Sequence, residues 1–433
     1  MSGFPVQTAM TIATVGGLLA AAPLMIPGLT KLRLSQLAAL TEFTPEQTPL
    51  SPLVAREEAP RASRLLDDSN GSLDSFYKAL RKTAKRAPGA VTRIIHYGDS
   101  PTTADLITGD VRAMLQQHFG DAGHGFILVA KPWAWYQHRG VELSAAGWHA
   151  FPASRFASHD GFFGLGGVSF TGAESAHTRI LLADPGQSSF ELSFLREPGG
   201  GAIAISANHQ EVARISTEAD VKSPGFAAFT VAGGASFLEL QPQGSVRVFG
   251  LTAEKPGPGV VYDSLGLNGG SIPVLSHIFE PHHWAEELRH RHPDLVIINY
   301  GTNEADFAAF LDTQYEKELR EAIHRIRQAL PRASILLMSP MDRGHRVAGG
   351  AIETLETIPL LVEIQRRVAQ DTGCAFFDTF AAMGGAGTMA RWYAAQPRLV
   401  SADLIHPYPA AGKQIASAFV REIEAGLARF KVR

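Results

Sequence analysis

Arg93-Ile94-Ile95-His96-Tyr97-Gly98-Asp99-Ser100-Pro101-Thr102-Thr103 is the stretch on which the reading of this chain turns. Residues 93–97 have the apolar, β-branched character of a short buried strand, Gly98-Asp99 supplies a turn, and residues 104–119 carry a helical pattern. Ser100 then stands at a strand-to-helix junction. Such a turn can hold a hydroxyl clear of the sheet and aim backbone N–H groups at whatever binds there. In isolation, Gly-Asp-Ser reads more readily as a turn followed by a helix cap, because Asp and Ser favour both.

Three later blocks change that balance. Leu265-Gly266-Leu267-Asn268-Gly269-Gly270, Gly301-Thr302-Asn303-Glu304 and Asp403-Leu404-Ile405-His406-Pro407 follow Ser100 in that order. The four blocks together resemble the SGNH (GDSL-type) serine esterases. The resemblance covers roughly residues 90–130 and 262–433, and Pro101 stands where many members carry Leu, a departure that leaves the proposed chemistry untouched. Ester acyl transfer requires a nucleophile, a base, a group that orients the base, and donors for the oxyanion. Ser100 and His406 are the candidate nucleophile and base. Asp403, three residues before His406, can hold the imidazole in the tautomer whose other nitrogen faces Ser100. By resemblance, the oxyanion hole would combine the Ser100 N–H, the Gly269 N–H and the Asn303 side-chain amide. Glycine suits a backbone that must approach substrate, and an amide donates where a carboxylate cannot. Gly270 is equally available for the Gly269 role.

Composition limits the remaining options. The chain has 433 residues, enough for two domains with extensions, and Lys+Arg 39 nearly balance Asp+Glu 42. That balance gives no basic field for nucleic acid. The single Cys374 excludes an intramolecular disulfide framework, and its setting in CAFFDTF reads as a buried, inert thiol. His96, His124, His282, His283 and His345 show no metal-ligand spacing and read as structural or surface histidines. No metal and no cofactor are expected. Nothing in the sequence sets an oligomeric state.

Residues 8–29 contain no charged side chain and are about long enough to cross a bilayer, so residues 1–35 read as an export signal or membrane anchor. The flanks are atypical, with no Lys or Arg before the apolar run and Lys31 and Arg33 after it. A Pro-rich spacer over 36–70 follows. The expected location is periplasmic or otherwise extracytoplasmic, secreted or anchored through 8–29. Leu73 to Ala87 reads as an amphipathic helix with Phe76, Leu80 and Ala84 on one face and Ser72 as N-cap.

From 141 to 252, short runs of alternating polarity separated by Gly, Ser, Asn and Pro predict antiparallel strands and a β-sandwich. From 262 onward, LVIINYG (295–301) and SILLMSP (334–340) read as buried parallel strands, with helices around 315–330 and 354–371 and another strand in CAFFDTF. The expected fold is α/β, a doubly wound, flavodoxin-like parallel sheet formed by 71–140 and 253–433. The antiparallel β-sandwich of 141–252 would be inserted into it. Ligands then belong at the carboxyl ends of the parallel strands, where Ser100, Asn303 and the 341–346 loop fall.

The order of export segment, nucleophile block, β-insert and remaining blocks is similar to that of the peptidoglycan O-acetylesterases within the SGNH family, whose insert resembles a carbohydrate-binding module. That resemblance implies a serine esterase removing O-acetyl or other short acyl groups from an envelope polysaccharide. A polysaccharide O-acyltransferase, a lipase or arylesterase of the same fold, and a non-catalytic carbohydrate-binding protein are the alternatives. Within Gly120 to Gly140, the aromatics read chiefly as a core-packing loop; exposed, Trp133, Trp135 or Tyr136 would suit stacking on sugar faces.

Overall fold

Six strands make the central sheet, β1 (Leu66–Asp67), β2 (Val91–Gly98), β3 (Gly259–Gly266), β4 (Leu295–Asn299), β5 (Ser334–Met338) and β6 (Ala375–Phe377). Across the sheet they run β1-β6-β5-β4-β2-β3. All pairings from β2 to β6 are parallel, and β1 joins β6 antiparallel. The five parallel strands have the flavodoxin-like order, reversing direction of progress at β2, where crevices outside the strand ends receive ligands. The computed structural model describes residues 64–431 apart from 156–159 and 185. The expected export segment or anchor and residues 36–63 of the spacer therefore lie outside the described residues. No described helix is long and apolar enough to cross a membrane.

Near-continuous burial along these runs is that of strands with both faces covered. Ile94, Leu295, Ile297, Leu336 and Met338 share one core with Phe76, Val111 and Phe419 of helices Asp74–Ala84, Thr108–Phe119 and Pro409–Arg429. Ile95, Val296, Ile298, Ile335 and Leu337 face the other way, toward Trp284, Ile323 and Leu361 of helices Pro281–Arg291, Glu316–Ala329 and Thr357–Thr372. Two layers of helices thus enclose the sheet.

Several local expectations need correction. Leu66–Asp67, within the range assigned to the spacer, is an edge strand. Ser72 does not cap the first helix, which begins at Asp74 behind Leu73. The Leu73 N–H is instead taken by the Asp68 carboxylate at 2.9 Å. The helix expected over 104–119 begins only at Thr108 and ends at Phe119, and a separate short helix, Ser100–Thr103, precedes it. Between them Asp105 has φ +54°. Its buried carboxylate accepts from Thr108 Oγ1 at 2.6 Å, Arg112 Nη2 at 2.5 Å and the Arg139 N–H at 2.8 Å, fixing the break.

Residues 141–254 supply two antiparallel sheets. One has the order Gln210–Ser216, Ala202–Ala207, Phe237–Gln243, His177–Leu182, Val141–Ala146; the other runs Ser223–Ala235, Gln187–Arg196, Val246–Glu254, Val168–Gly172, His149–Pro152. Gly123–Ile127, assigned by sequence to the catalytic half, pairs with Val246–Glu254 at the second sheet. Alternating buried residues such as Ile180, Leu182, Ile203, Ile205, Leu238 and Leu240 join Phe170, Leu192 and Val248 in the core that also covers one face of the central sheet.

A buried ion-pair network fastens these β-layers to the catalytic sheet. Arg291, at the end of its helix, makes two hydrogen bonds to Asp263 of β3, at 2.6 and 2.9 Å, and reaches Glu254 Oε1 at 2.6 Å. Glu254 also accepts from Arg93 Nη2 of β2 at 2.7 Å, and Asp263 accepts the Phe126 N–H at 2.8 Å. The Asp263 side chain is fully buried and that of Arg291 8% exposed, so neither charge can turn to water if its partner is lost. Arg291→Ala should lower stability by about 3–5 kcal/mol, the cost of stranding a buried carboxylate. Urea unfolding of the purified variant measures this; a loss under about 1 kcal/mol would show that the network does not couple the layers.

Candidate active site

The strand register brings the sequence blocks to one level. Gly98 at the end of β2 lies opposite Gly266 of β3 and Asn299 of β4. The segments that leave these three ends carry Ser100, Gly269 and Asn303. Two glycines let the nucleophile turn settle there, for a Cβ on Gly98 would lie 2.2 Å from Thr102 Oγ1, and one on Gly266 would lie 2.0 Å from the Thr103 backbone nitrogen.

Ser100, Asp403 and His406 meet although 306 positions separate Ser100 from His406. Ser100 Oγ is 2.7 Å from His406 Nε2, and His406 Nδ1 is 2.7 Å from Asp403 Oδ2. With Nδ1–H donating to Asp403, Nε2 is left as an acceptor for the Ser100 hydroxyl. Partial burial pushes the Asp403 carboxyl upward, but hydrogen bonds from Ser401 Oγ, the imidazole, and the His406 and Ile405 N–H groups outweigh it and hold the pKa at about 2. Asp403 is therefore ionised at neutral pH. Its loop is closed by the Ser401 N–H to the His406 carbonyl at 2.9 Å, with Leu404 at φ +62°.

The residues expected as oxyanion donors differ in what their N–H groups already bind. The Gly270 N–H is spent on the Leu267 carbonyl at 2.7 Å, closing a turn in which Gly269 has φ +70°. A left-handed residue at the third position of such a turn favours glycine. Gly270 is buried, Gly269 is exposed, and an added Cβ at Gly269 would meet nothing within 4 Å. The Gly269 N–H has no protein partner among the described residues, and neither has that of Ser100. Asn303 Nδ2 donates one hydrogen to the Gly270 carbonyl at 2.8 Å, which fixes the amide and leaves its second hydrogen unspent.

Supporting contacts include residues that the sequence did not single out for the site. Arg343 donates to the Thr302 carbonyl at 2.8 Å and pairs with Asp306 at 2.7 Å, bracing the Asn303 turn. Ser154 Oγ donates to the Asn268 carbonyl at 2.7 Å. Trp133 and Tyr136 are buried, whereas Trp135 is exposed and its Nε1 donates to Asn268 Oδ1 at 3.3 Å. Of the histidines outside the triad, His96 is buried against the Tyr262 hydroxyl at 2.6 Å, and His283 accepts the Gly164 N–H at 3.1 Å.

The sequence profile of the GDSL-like lipase/acylhydrolase family matches residues 234–413. The chain therefore carries a GDSL-like lipase/acylhydrolase domain and has the SGNH hydrolase fold. It is a carboxylic ester hydrolase of that class. The matched stretch includes Gly269, Asn303, Asp403 and His406 but not Ser100, which the fold brings to it from before the β-insert. The structure titled "Peptidoglycan O-acetylesterase in action" superposes with a TM-score of 0.72 at 24% identity, covering 84% of this chain and 99% of that one. A Bacillus subtilis protein gives a TM-score of 0.35 at 11% identity, covering 66% of this chain and 90% of its own. A family two carbohydrate esterase from Clostridium thermocellum in complex with cellohexaose gives 0.30 at 13% identity, covering 65% and 99%. No curated protein sequence matches the chain.

Two buried carboxyls beside the site predict a pH effect on stability. Burial raises Glu304 to about 7 against the pull of the Ile272 N–H, and raises Asp99 to about 6 against the hydrogen bond from Thr302 and the charge of His406. A raised carboxyl keeps its proton in the folded state after the unfolded chain has released it near pH ~4. The resulting stability is full below that value and is lost as pH rises through about 6 and 7. Glu304→Gln, which cannot ionise, should show a smaller fall in Tm than the parent between pH ~5 and ~8. Equal falls in the two proteins would show that Glu304 does not titrate in this window.

Proposed function

We propose that the protein removes O-acetyl groups from a cell-envelope polysaccharide, peptidoglycan being the substrate, through an acyl-serine at Ser100. The observation that carries this reading is the continuous hydrogen-bonded chain Ser100–His406–Asp403 beside an unspent Gly269 amide. His406 Nε2 takes the Ser100 proton as Oγ attacks the acetyl carbonyl, and the negative oxygen is received by the Ser100 and Gly269 N–H groups and the free Asn303 hydrogen. Collapse breaks the bond to the sugar oxygen, which leaves as an alcohol with the proton from His406. Water then attacks the acetyl-serine, giving up a proton to His406, and acetate departs as Ser100 regains its hydrogen. Ionised Asp403 stabilises the imidazolium in both halves.

The substrate assignment is supported by the likeness to the peptidoglycan O-acetylesterase structure over nearly all of that chain's length. It is also supported by exposure, since the His406 and Asp403 side chains are 39% and 46% accessible, so a bulky polymer can bring an acetyl group to them. An extracytoplasmic location, reached through the apolar 8–29 segment by export or anchoring, completes the proposal.

Acetate release from O-acetylated peptidoglycan should exceed that from acetylated xylan or water-insoluble lipid esters. Ser100→Ala should abolish release from all of them while leaving the fold intact by circular dichroism; faster turnover of xylan or lipid would overturn the peptidoglycan assignment. Asn303→Ala should chiefly lower kcat, by roughly a hundredfold, because the donor strengthens its interaction only as the oxyanion forms. Asn303→Asp should be slower still, its carboxylate repelling that charge. Full turnover in a folded Asn303→Ala protein would remove Asn303 from the oxyanion hole.

A further inference from the structure

The 130–138 loop is tied into the site at two points. The Gln137 N–H donates to the Thr103 carbonyl at 3.1 Å, three residues beyond Ser100, and the Trp135 indole N–H donates to Asn268 Oδ1, one residue before Gly269. Buried Trp133 and Tyr136 anchor the loop from within; the Tyr136 N–H reaches the Trp133 carbonyl at 3.0 Å and its hydroxyl accepts from the Leu128 N–H at 3.1 Å. Between these anchors the Trp135 side chain remains 49% exposed. A large aromatic surface left in water is energetically unfavourable, and here it is oriented by a hydrogen bond to the turn that carries an oxyanion donor. Phe307 and Tyr408 are comparably exposed, but neither ring is hydrogen-bonded to a site block.

From this placement we propose that Trp135 is the stacking surface for a sugar ring of the acetylated polysaccharide, holding the glycan so that its ester reaches Ser100. The inference rests on the polysaccharide reading above. A pyranose has an apolar face of C–H groups and a rim of hydroxyls, so a fixed indole can bury the first while water keeps the second. Because the ring is already anchored, little side-chain freedom is lost on binding. The contact is made to the sugar and not to the reacting carbonyl, so it contributes equally to the ground state and the transition state. Removing it should raise KM and leave kcat unchanged.

The test compares the full chain with Trp135→Ala, Trp135→Phe and, as a distant exposed apolar control, Leu360→Ala. Each is assayed on O-acetylated peptidoglycan fragments and on 4-nitrophenyl acetate, which has no sugar. Trp135→Ala is expected to raise KM for the glycan about tenfold with kcat and small-ester hydrolysis unchanged. Trp135→Phe keeps an aromatic face and should fall between the two, and Leu360→Ala should match the parent. A glycan KM within twofold of the parent in Trp135→Ala overturns the inference while leaving the esterase reading in place. A fall in kcat on both substrates also overturns it, assigning Trp135 to support of the Asn268 turn. If the parent hydrolyses the small ester but releases no acetate from any acetylated glycan, the polysaccharide reading fails and takes this inference with it.

Discussion

The level alignment of Gly98, Gly266 and Asn299 is the constraint on which the site depends. Parallel pairing fixes that register through a ladder of backbone hydrogen bonds, and a slip of one residue would turn every buried strand side chain to the wrong face. The same register places three chain exits side by side at the crevice beside β2. Hydrogen bonds then cross from exit to exit, with the Leu267 N–H donating to the Gly98 carbonyl at 2.9 Å and Asn303 to the Gly270 carbonyl. The Gly269 turn and the Asn303 amide are consequently held in place, as the proposed oxyanion role requires.

Placing a large β-body between Ser100 and its partners separates the nucleophile from the others along the chain. The Arg93–Glu254–Arg291–Asp263 network spans that separation, from Arg93 near the start of β2 to Asp263 in the middle of β3. Buried ion pairs are an expensive way to gain stability, since desolvation consumes much of the attraction. What they supply here is fixed placement. Arg291 can satisfy Asp263 and Glu254 together only when β3, the last strand of the insert and its own helix are in one arrangement, and Arg93 adds β2 to that requirement.

Much of this was legible in the sequence because its signals are local. The apolar runs at 295–299 and 334–338, the alternation from 177 to 254, and the four ordered blocks each announce themselves within a few residues. What was not legible depends on partners distant in the chain. Leu66–Asp67 is too short to show a period, and only β6 makes it a strand. Gly123–Ile127 follows a catalytic-domain helix, yet its hydrogen bonds go to residues 251–254. Gly269 and Gly270 are identical as letters, and the carbonyl of Leu267 separates them by consuming one N–H. Ser72 has the residue type of a cap, but the helix starts one residue later and the Asp68 carboxylate takes the Leu73 amide. Arg343 and Ser401 have no motif of their own, because their contribution is to hold other residues in place.

The open setting of the triad places particular demands on Asp403. A carboxylate nearly half exposed is well solvated, and by itself would orient an imidazole weakly against competing water. The loop answers by surrounding one oxygen with the Ser401 hydroxyl and two backbone N–H groups, leaving the other directed at His406 Nδ1. Orientation thus comes from a closed hydrogen-bonded loop and not from burial. That choice keeps His406 accessible to a bulky ester and to the water that must later reach the acyl-serine. The buried carboxyls Asp99 and Glu304 lie in the neighbouring turns, where burial keeps them largely protonated into the pH range in which Asp403 is fully charged. Below about pH 6, negative charge in these turns is therefore concentrated on the one carboxylate that faces the imidazole, and it spreads to Asp99 and Glu304 as pH rises through about 6 and 7.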